Sequence, residues 1–223
     1  MSDAGQPPGW LRTIVDALGG VRVEHLSRHA APHPGAGRAS AVLALFGEAV
    51  VDGQRVPDVL LIERAVGLRR HPGTPAFPGG VVDPDDDGPA DTALREAREE
   101  TGLDPAGVDV LATLPDLWLP AGGYVVTPVL AWWRVPSPVA VVDAAEVASV
   151  HRVPLADLVE PANRLRVHHP SGYAGPAFRV GDLLVWGFTA DVLSGLLEVG
   201  GLSRPWDTSR VESLPLVEGA GRR

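Results

Sequence analysis

The chain has 223 residues and a formal net charge of −9, from 28 acidic side chains against 19 basic ones. Such a balance gives no general attraction to nucleic acid or to an anionic membrane, so a phosphate ligand has to be held by local arginines and metal. The sequence has no cysteine and no lysine, which excludes disulfides, thiol chemistry and Schiff bases on a lysine side chain.

This length suits a single domain with decorated ends. Pro7-Pro8-Gly9 precedes a short helical pattern with Trp10, Leu11, Ile14, Val15 and Leu18 on one face, ended by Gly19-Gly20. His25, His29 and His33 follow at four-residue spacing. Pro32 and Pro34 break any helix that would align them, so they read as surface histidines. Residues 1–38 are therefore expected to form an N-terminal helical arm and loop. Ala39 to Phe46 and Val59 to Ile62 read as neighbouring strands around an Asp52-Gly53 turn, a hairpin that delivers Arg64 to the loop beyond.

A glycine-rich turn, Phe77-Pro78-Gly79-Gly80, then leads into a helix ended by Gly102, where a left-handed conformation is wanted. Val108 to Leu114 and Tyr124 to Arg134 read as strands. The loop between them, Pro115 to Gly123, is placed to touch a substrate. Pro136 and Pro138 mark a break before Ala145-Glu146-Val147 and a short helix over Leu155 to Val159. Leu165 to His168 and Ala177 to Val180 are expected as strands joined by the turn PSGYAG. Leu184 to Ala190 leads into an amphipathic helix using Val192, Leu193, Leu196 and Leu197. The main domain is thus expected over 39–200 and a loosely ordered tail over 201–223. Mixed strands and helices with mostly hairpin connections predict an α/β fold, a sheet sandwiched between helices. No apolar run approaches the ~18 residues that span a bilayer, and no charged region precedes an apolar one at the N-terminus, which predicts a soluble, cytoplasmic protein.

The chemistry is concentrated in the helix after the glycines. Ala90, Ala93, Leu94, Ala97 and Thr101 form one apolar stripe, and Glu96, Glu99 and Glu100 fall together on a neighbouring face. Side chains three and four apart stand roughly 5–6 Å apart at Cβ, so three ionised carboxylates repel one another unless a cation lies between them. All-oxygen ligation suits Mg²⁺ or Mn²⁺, and Arg95 and Arg98 can hold the carboxylates by charge-assisted hydrogen bonds. An REAREE run alone also fits a solvated helix face with internal ion pairs. The paired glycines before it and Gly102 after it set this one apart.

These residues resemble the Nudix hydrolases, whose box is G-x5-E-x7-R-E-U-x-E-E-x-G-U with U aliphatic. Arg95 to Leu103, REAREETGL, matches its second half, with Ala97 at an aliphatic place. In the first half Asp87 stands where counting back from Arg95 puts the first Glu, and Gly80 lies one residue too far upstream. The preceding stretch resembles the coenzyme A pyrophosphatase branch, with a pattern like L-L-T-x-R-(S/A)-x3-R-x3-G-x3-F-P-G-G. Leu60, Leu61, Arg64, Ala65, Arg69, Gly73, Phe77, Pro78, Gly79 and Gly80 fall in register, while Ile62 replaces Thr and Thr74 stands where Gln is common.

The resemblance implies a Nudix-type α/β/α sandwich with a mixed sheet. It also implies Mg²⁺- or Mn²⁺-dependent hydrolysis of a nucleoside diphosphate derivative. Carried over residue by residue, Glu96, Glu99 and Glu100 ligate metal, with the Gly80 carbonyl a further candidate. Arg95 orients a carboxylate, and Glu146 is general base, extra ligand or plain surface carboxylate. Arg64, Arg69 and Arg70, with Gly79 and Gly80, would bind substrate phosphate, unless these arginines pair with the aspartates at 83 and 85–87. The implied partner is a small-molecule nucleotide, with no nucleic acid and no membrane; a homodimer stays open. Coenzyme A is the substrate implied, ADP-ribose, NADH, a dinucleotide or a nucleoside triphosphate the alternatives. A binding module that has lost catalysis is disfavoured by the intact carboxylate set and favoured only by Asp87.

Overall fold

The computed structural model describes residues 6–27, 33, 36–68, 72–120, 122–170 and 172–215. His29, Pro32, Pro34, Arg69, Arg70 and His71 lie outside the described residues. Helix α1 (Gly9–Ala17) follows Pro8 and buries Leu11 and Ile14, and α2 (Val23–Leu26) is a single turn that buries Leu26. Asp52 and Gly53 take positive φ angles of 50° and 77°, so the chain reverses in two residues and β1 (Arg38–Val51) pairs with β2 (Gln54–Arg64). β3 (Pro75–Ala76) and β4 (Gly79–Val81) frame the glycine turn, and α3 (Pro89–Thr101) has proline in its first turn. Gly102 ends α3 at φ 72°, the left-handed cap expected from the sequence.

Then come β5 (Val108–Thr113), β6 (Leu117–Leu119), β7 (Tyr124–Trp133), β8 (Val147–Pro154), α4 (Leu155–Val159), β9 (Arg164–His168), β10 (Ala174–Val180), β11 (Leu183–Val185), α5 (Gly187–Val199) and β12 (Val211–Ser213). The first sheet runs β3-β2-β1-β7-β5, with β4 on β1, β6 on β7 and β8 on β2. It is mixed, because β1 and β7 run parallel from Arg38 opposite Tyr124 to Phe46 opposite Trp132, while the other pairs are antiparallel.

Strand alternation divides the apolar residues between two faces. Leu43, Leu45, Leu60, Val129 and Ala131 meet Ala93 and Ala97 of α3, whose small side chains let the helix lie close to the sheet. Phe46, Val59, Leu61, Leu130 and Trp132 meet Leu11 and Ile14 of α1 and Val192, Leu193, Leu196 and Leu197 of α5. Each such fully buried Leu, Ile or Val contributes about 1.5–3 kcal/mol. The α/β/α layering expected from the sequence is the fold observed. Among the described residues no helix is long and apolar enough to cross a membrane.

The structure departs from the sequence reading in three places. β9 and β10 pair as the hairpin expected, but they belong to a second sheet, β11-β10-β9-β12, where the sequence reading had a single sheet. β3, β4, β6, β8 and β11 add strands where none was assigned. The chain after 200, expected to be loose, folds back as far as Pro215, adding β12 parallel to β9 and placing Trp206 over the buried Arg164.

Candidate active site

The site forms where α3 passes the β4 glycines. Gly79 and Gly80 lie opposite Val42 and Ala41 of β1. A Cβ on Gly79 would collide with the backbone of Ala41 and Val42, so the close pairing of β4 with β1 requires glycine there. At Gly80 the place of a Cβ is taken by the carboxylate of Glu96. The second glycine is thus a cradle for a box carboxylate. Leu43 N donates to Pro78 O and Val82 N to Ala39 O, so ladder alternation makes Gly80 and Ala41 a hydrogen-bonded pair. One lone pair of the Gly80 carbonyl is left for a further contact.

Glu100, one turn beyond Glu96, is 3% exposed and accepts from Gly79 N at 3.0 Å. Burial pushes its pKa up to about 8 against the pull of that N–H and of the Arg64 charge, and Glu96 and Glu146 raise it further. Glu96 is also raised, first by burial, with Arg95 opposing and Glu99 and Glu146 adding. Glu146 comes from the turn before β8. Its carbonyl accepts from Ala65 N at 2.8 Å, which fixes the turn beside the end of β2. Arg64 is held there by two backbone bonds, its N donating to Thr74 O at 3.1 Å and its O accepting from Gly73 N at 2.9 Å. Glu96, Glu100, Glu146 and Arg64, 82 residues apart in sequence from first to last, therefore share one electrostatic neighbourhood. Among the described residues no ion pair joins Arg64 to Asp83, Asp85, Asp86 or Asp87.

Arg95 locks the box from outside. Its Nε and Nη2 grip both oxygens of Asp86 at 2.9 and 3.0 Å, Nη2 also reaches Val81 O at 3.1 Å, and Nη1 donates to Glu96 at 3.0 Å and Glu99 at 3.2 Å. Asp86 accepts in addition from Thr92 Oγ1 at 2.7 Å and Asp83 N at 2.8 Å, and Arg95 foremost holds its pKa well below the usual carboxylate range. Asp87, the position expected for the first box carboxylate, contributes instead its backbone N–H to Asp91. The sequence held the signal: five residues counted forward from Gly80 lead to Asp86, so the extra residue lies after it. Asp86→Ala is expected to lower kcat about tenfold, as loss of a supporting carboxylate does, while Asp87→Ala stays within about twofold, since no side-chain contact is lost. Equal losses in steady-state assays of the two variants would remove Asp86 from this role.

The donors fit a hard divalent ion, being all oxygen and destabilised as anions by burial and by one another. Among the described residues no three acidic or histidine side chains stand close enough to clasp one as they are: Arg95 draws Glu96 and the more exposed Glu99, and Glu100 turns to Gly79.

The NUDIX domain family matches residues 38–173. The chain is a Nudix hydrolase. The uncharacterized Nudix hydrolase NudL of Salmonella paratyphi B is 36% identical over 158 residues, 65% of this chain and 76% of that one, and its Salmonella newport counterpart agrees equally. Among solved structures, a MutT/nudix family protein from Enterococcus faecalis shares the fold with a TM-score of 0.50 at 16% identity, over 86% of this chain and 74% of that one. RenU, a Nudix hydrolase from M. smegmatis, gives a TM-score of 0.48 at 22% identity, over 78% and 90%. As a Nudix hydrolase the chain is a pyrophosphohydrolase of nucleoside diphosphate derivatives, a family that acts on small nucleotides and generally uses divalent metal ions.

Proposed function

We propose that this Nudix hydrolase cleaves the pyrophosphate of coenzyme A or an acyl-coenzyme A, adding water across the P–O–P bond to give 3′,5′-ADP and 4′-phosphopantetheine. The observation that carries the reading is the placement of Arg64. The stretch from Leu60 to Gly80 that resembles the coenzyme A branch ends β2 at this arginine and sets its charge beside Glu100. There it can meet a diphosphate lying over the glycine turn. Glu96, Glu99 and Glu100 are proposed as metal ligands, with the Gly80 carbonyl. When bound, a divalent ion such as Mg²⁺ or Mn²⁺ neutralises charge developing on the phosphoryl oxygens and lowers the pKa of the attacking water. Glu146 is proposed as the base that takes the water's proton, because it is exposed, lies on a turn outside the helix that carries the ligand carboxylates, and acts electrostatically on Glu96 and Glu100, while the other exposed carboxylate, Glu99, is bonded to Arg95. Arg95 keeps the box carboxylates oriented.

Arg69 and Arg70 are proposed, from the sequence resemblance, to take the 3′-phosphate. Coenzyme A differs from dephospho-coenzyme A by that dianion alone, and a charge-assisted arginine–phosphate contact is about twice as strong as a neutral hydrogen bond. Its loss is expected to cost about ten- to a hundredfold in kcat/KM. The test is kcat/KM for coenzyme A, dephospho-coenzyme A, ADP-ribose, NADH and a nucleoside triphosphate at one Mg²⁺ concentration, repeated with Arg69→Ala. Coenzyme A should lead, and Arg69→Ala should erase its advantage over the dephospho form. ADP-ribose or the triphosphate in the lead would overturn the coenzyme A reading and leave the pyrophosphohydrolase intact.

A further inference from the structure

The chain between β7 and β8 runs back along the end of α3 and is bonded to it. Val135 N donates to Gly107 O at 3.0 Å, and Ser137 Oγ accepts from Asp104 N at 3.0 Å. Ala140 N then donates to Thr101 O at 2.9 Å and Val142 N to Glu100 O at 3.2 Å. Thr101 and Glu100 close α3, so these two carbonyls have no partner within the helix itself. Val139, between the bonded stretches, packs against the apolar cluster that includes Ala97 and Leu103. The connector is thus tied to the backbone of Glu100, one of the carboxylates proposed above to hold the metal.

Beyond Val142 the chain turns on Asp143. Its Oδ1 accepts from Ala145 N at 2.8 Å, and its carbonyl accepts from Glu146 N at 3.1 Å and from Val147 N at 2.9 Å. The amides of residues 145, 146 and 147 therefore converge on one residue. An aspartate suits the place, because its short side chain reaches a backbone N–H two residues on. On the far side of the turn Val147 is fully buried at the start of β8, and Glu146 O accepts from Ala65 N at 2.8 Å. Glu146 is suspended between the end of α3 and the end of β2. The ladder does not dictate how it is presented, since the pairing of β8 with β2 shifts register between Glu63 and Arg64, where the turn begins. The side-chain contact that shapes the turn is that of Asp143.

We propose that Asp143 is a positioning residue for the hydrolysis: by closing this turn it fixes where the Glu146 carboxylate stands relative to Glu96 and Glu100. The proposal rests on the reading of Glu146 as the base and is independent of which nucleotide is hydrolysed. Asp143 acts through its acceptor oxygen and not through its charge, so Asn can replace it and Ala cannot. A reacting group misplaced by about 1 Å can cost about 100-fold in rate. The backbone bonds of the turn remain in Asp143→Ala, so the expected loss in kcat is smaller, about tenfold.

The experiment compares steady-state kinetics of the full chain with Mg²⁺ in Asp143→Ala, Asp143→Asn, Glu146→Gln and the double variant Asp143→Ala/Glu146→Gln. The substrate is the fastest of the nucleotides compared above, and circular dichroism checks the fold, which an exposed turn residue leaves intact. Asp143→Ala is expected to lower kcat about tenfold with KM within about twofold of the parent, and Asp143→Asn to restore kcat to within about twofold. In the Glu146→Gln background Asp143→Ala should add no more than about twofold, because a residue that acts through another has no further effect once that one is removed. Asp143→Asn as slow as Asp143→Ala would overturn the proposal in favour of a role for the charge. The same loss in both backgrounds would overturn it in favour of a role apart from Glu146. Asp143→Ala at the parental rate beside a slow Glu146→Gln sinks this proposal alone, whereas Glu146→Gln at the parental rate sinks the base reading and this proposal with it.

Discussion

Glu100→Gln is expected to lower kcat at least about 100-fold while the protein stays folded. Gln keeps the volume of the side chain and can still accept from Gly79 N with its amide oxygen, so the 3.0 Å contact that fixes α3 against β4 survives. What disappears is the capacity of a 3% exposed position to become an anion when a bound cation displaces the proton that burial favours. That charge is costly in the folded protein, as the rise of its pKa to about 8 shows. A carboxyl buried at that cost is what the metal-ligand role proposed above would require. Steady-state kinetics across Mg²⁺ concentrations, with circular dichroism as the check on folding, measures this. Glu99 is more exposed and bonded to Arg95, so Glu99→Gln is expected to cost less. Turnover within a few-fold of the parent in Glu100→Gln would overturn the proposal that Glu100 ligates the metal.

How much of this was legible in the sequence depends on whether the signal was local. The hairpin was readable because Asp52-Gly53 sits between apolar runs, and α3 because its alanine stripe and Gly102 cap lie within one segment. The convergence of Glu96 and Glu100 on the glycine turn followed from spacing and resemblance. Two failures have a common cause. β8 carries Ser149, His151 and Arg152 where an apolar alternation would have announced a strand, and it pairs with β2 partly through polar partners there: Ser149 donates to Glu63 at 2.9 Å and Arg152 to Asp58 at 3.1 Å. The segment after 200 is likewise held by Trp206 on Arg164 and by the Arg179–Glu212 pair. Polar and cation–ring contacts between distant residues leave no periodicity to read. Asp86 was hidden differently, since a one-residue shift in a run of aspartates is ambiguous until Arg95 shows which one it grips.

Arg152→Ala tests one of those unseen contacts. Asp58 on β2 is buried, with its carboxylate 2.8 Å from Arg152 Nη2, and Arg152 lies over the Trp133 ring with its centroid 4.7 Å away. Gly47 makes room for the pair, because a Cβ there would stand 3.0 Å from Asp58 Oδ1 and 3.2 Å from Arg152 Nη2. Removing one partner of a buried pair leaves the other charge uncompensated, and since the Arg152 side chain keeps 28% exposure the loss is set at about 2–3 kcal/mol, below the usual range for such pairs. The pH dependence has a definite sign. Burial already raises the Asp58 pKa above its ordinary 3.8 against the pull of Arg152, and deleting Arg152 removes that opposition. The folded variant then binds a proton more readily than its unfolded chain, so its stability rises as pH falls towards 4 and the deficit against the parent shrinks. Urea denaturation at pH 8 and pH 5 measures both. A deficit below about 1 kcal/mol at pH 8, the size typical of exposed pairs, would make the contact a screened surface bridge. A deficit of full size at both pH values would instead assign the loss to the packing of Arg152 on Trp133.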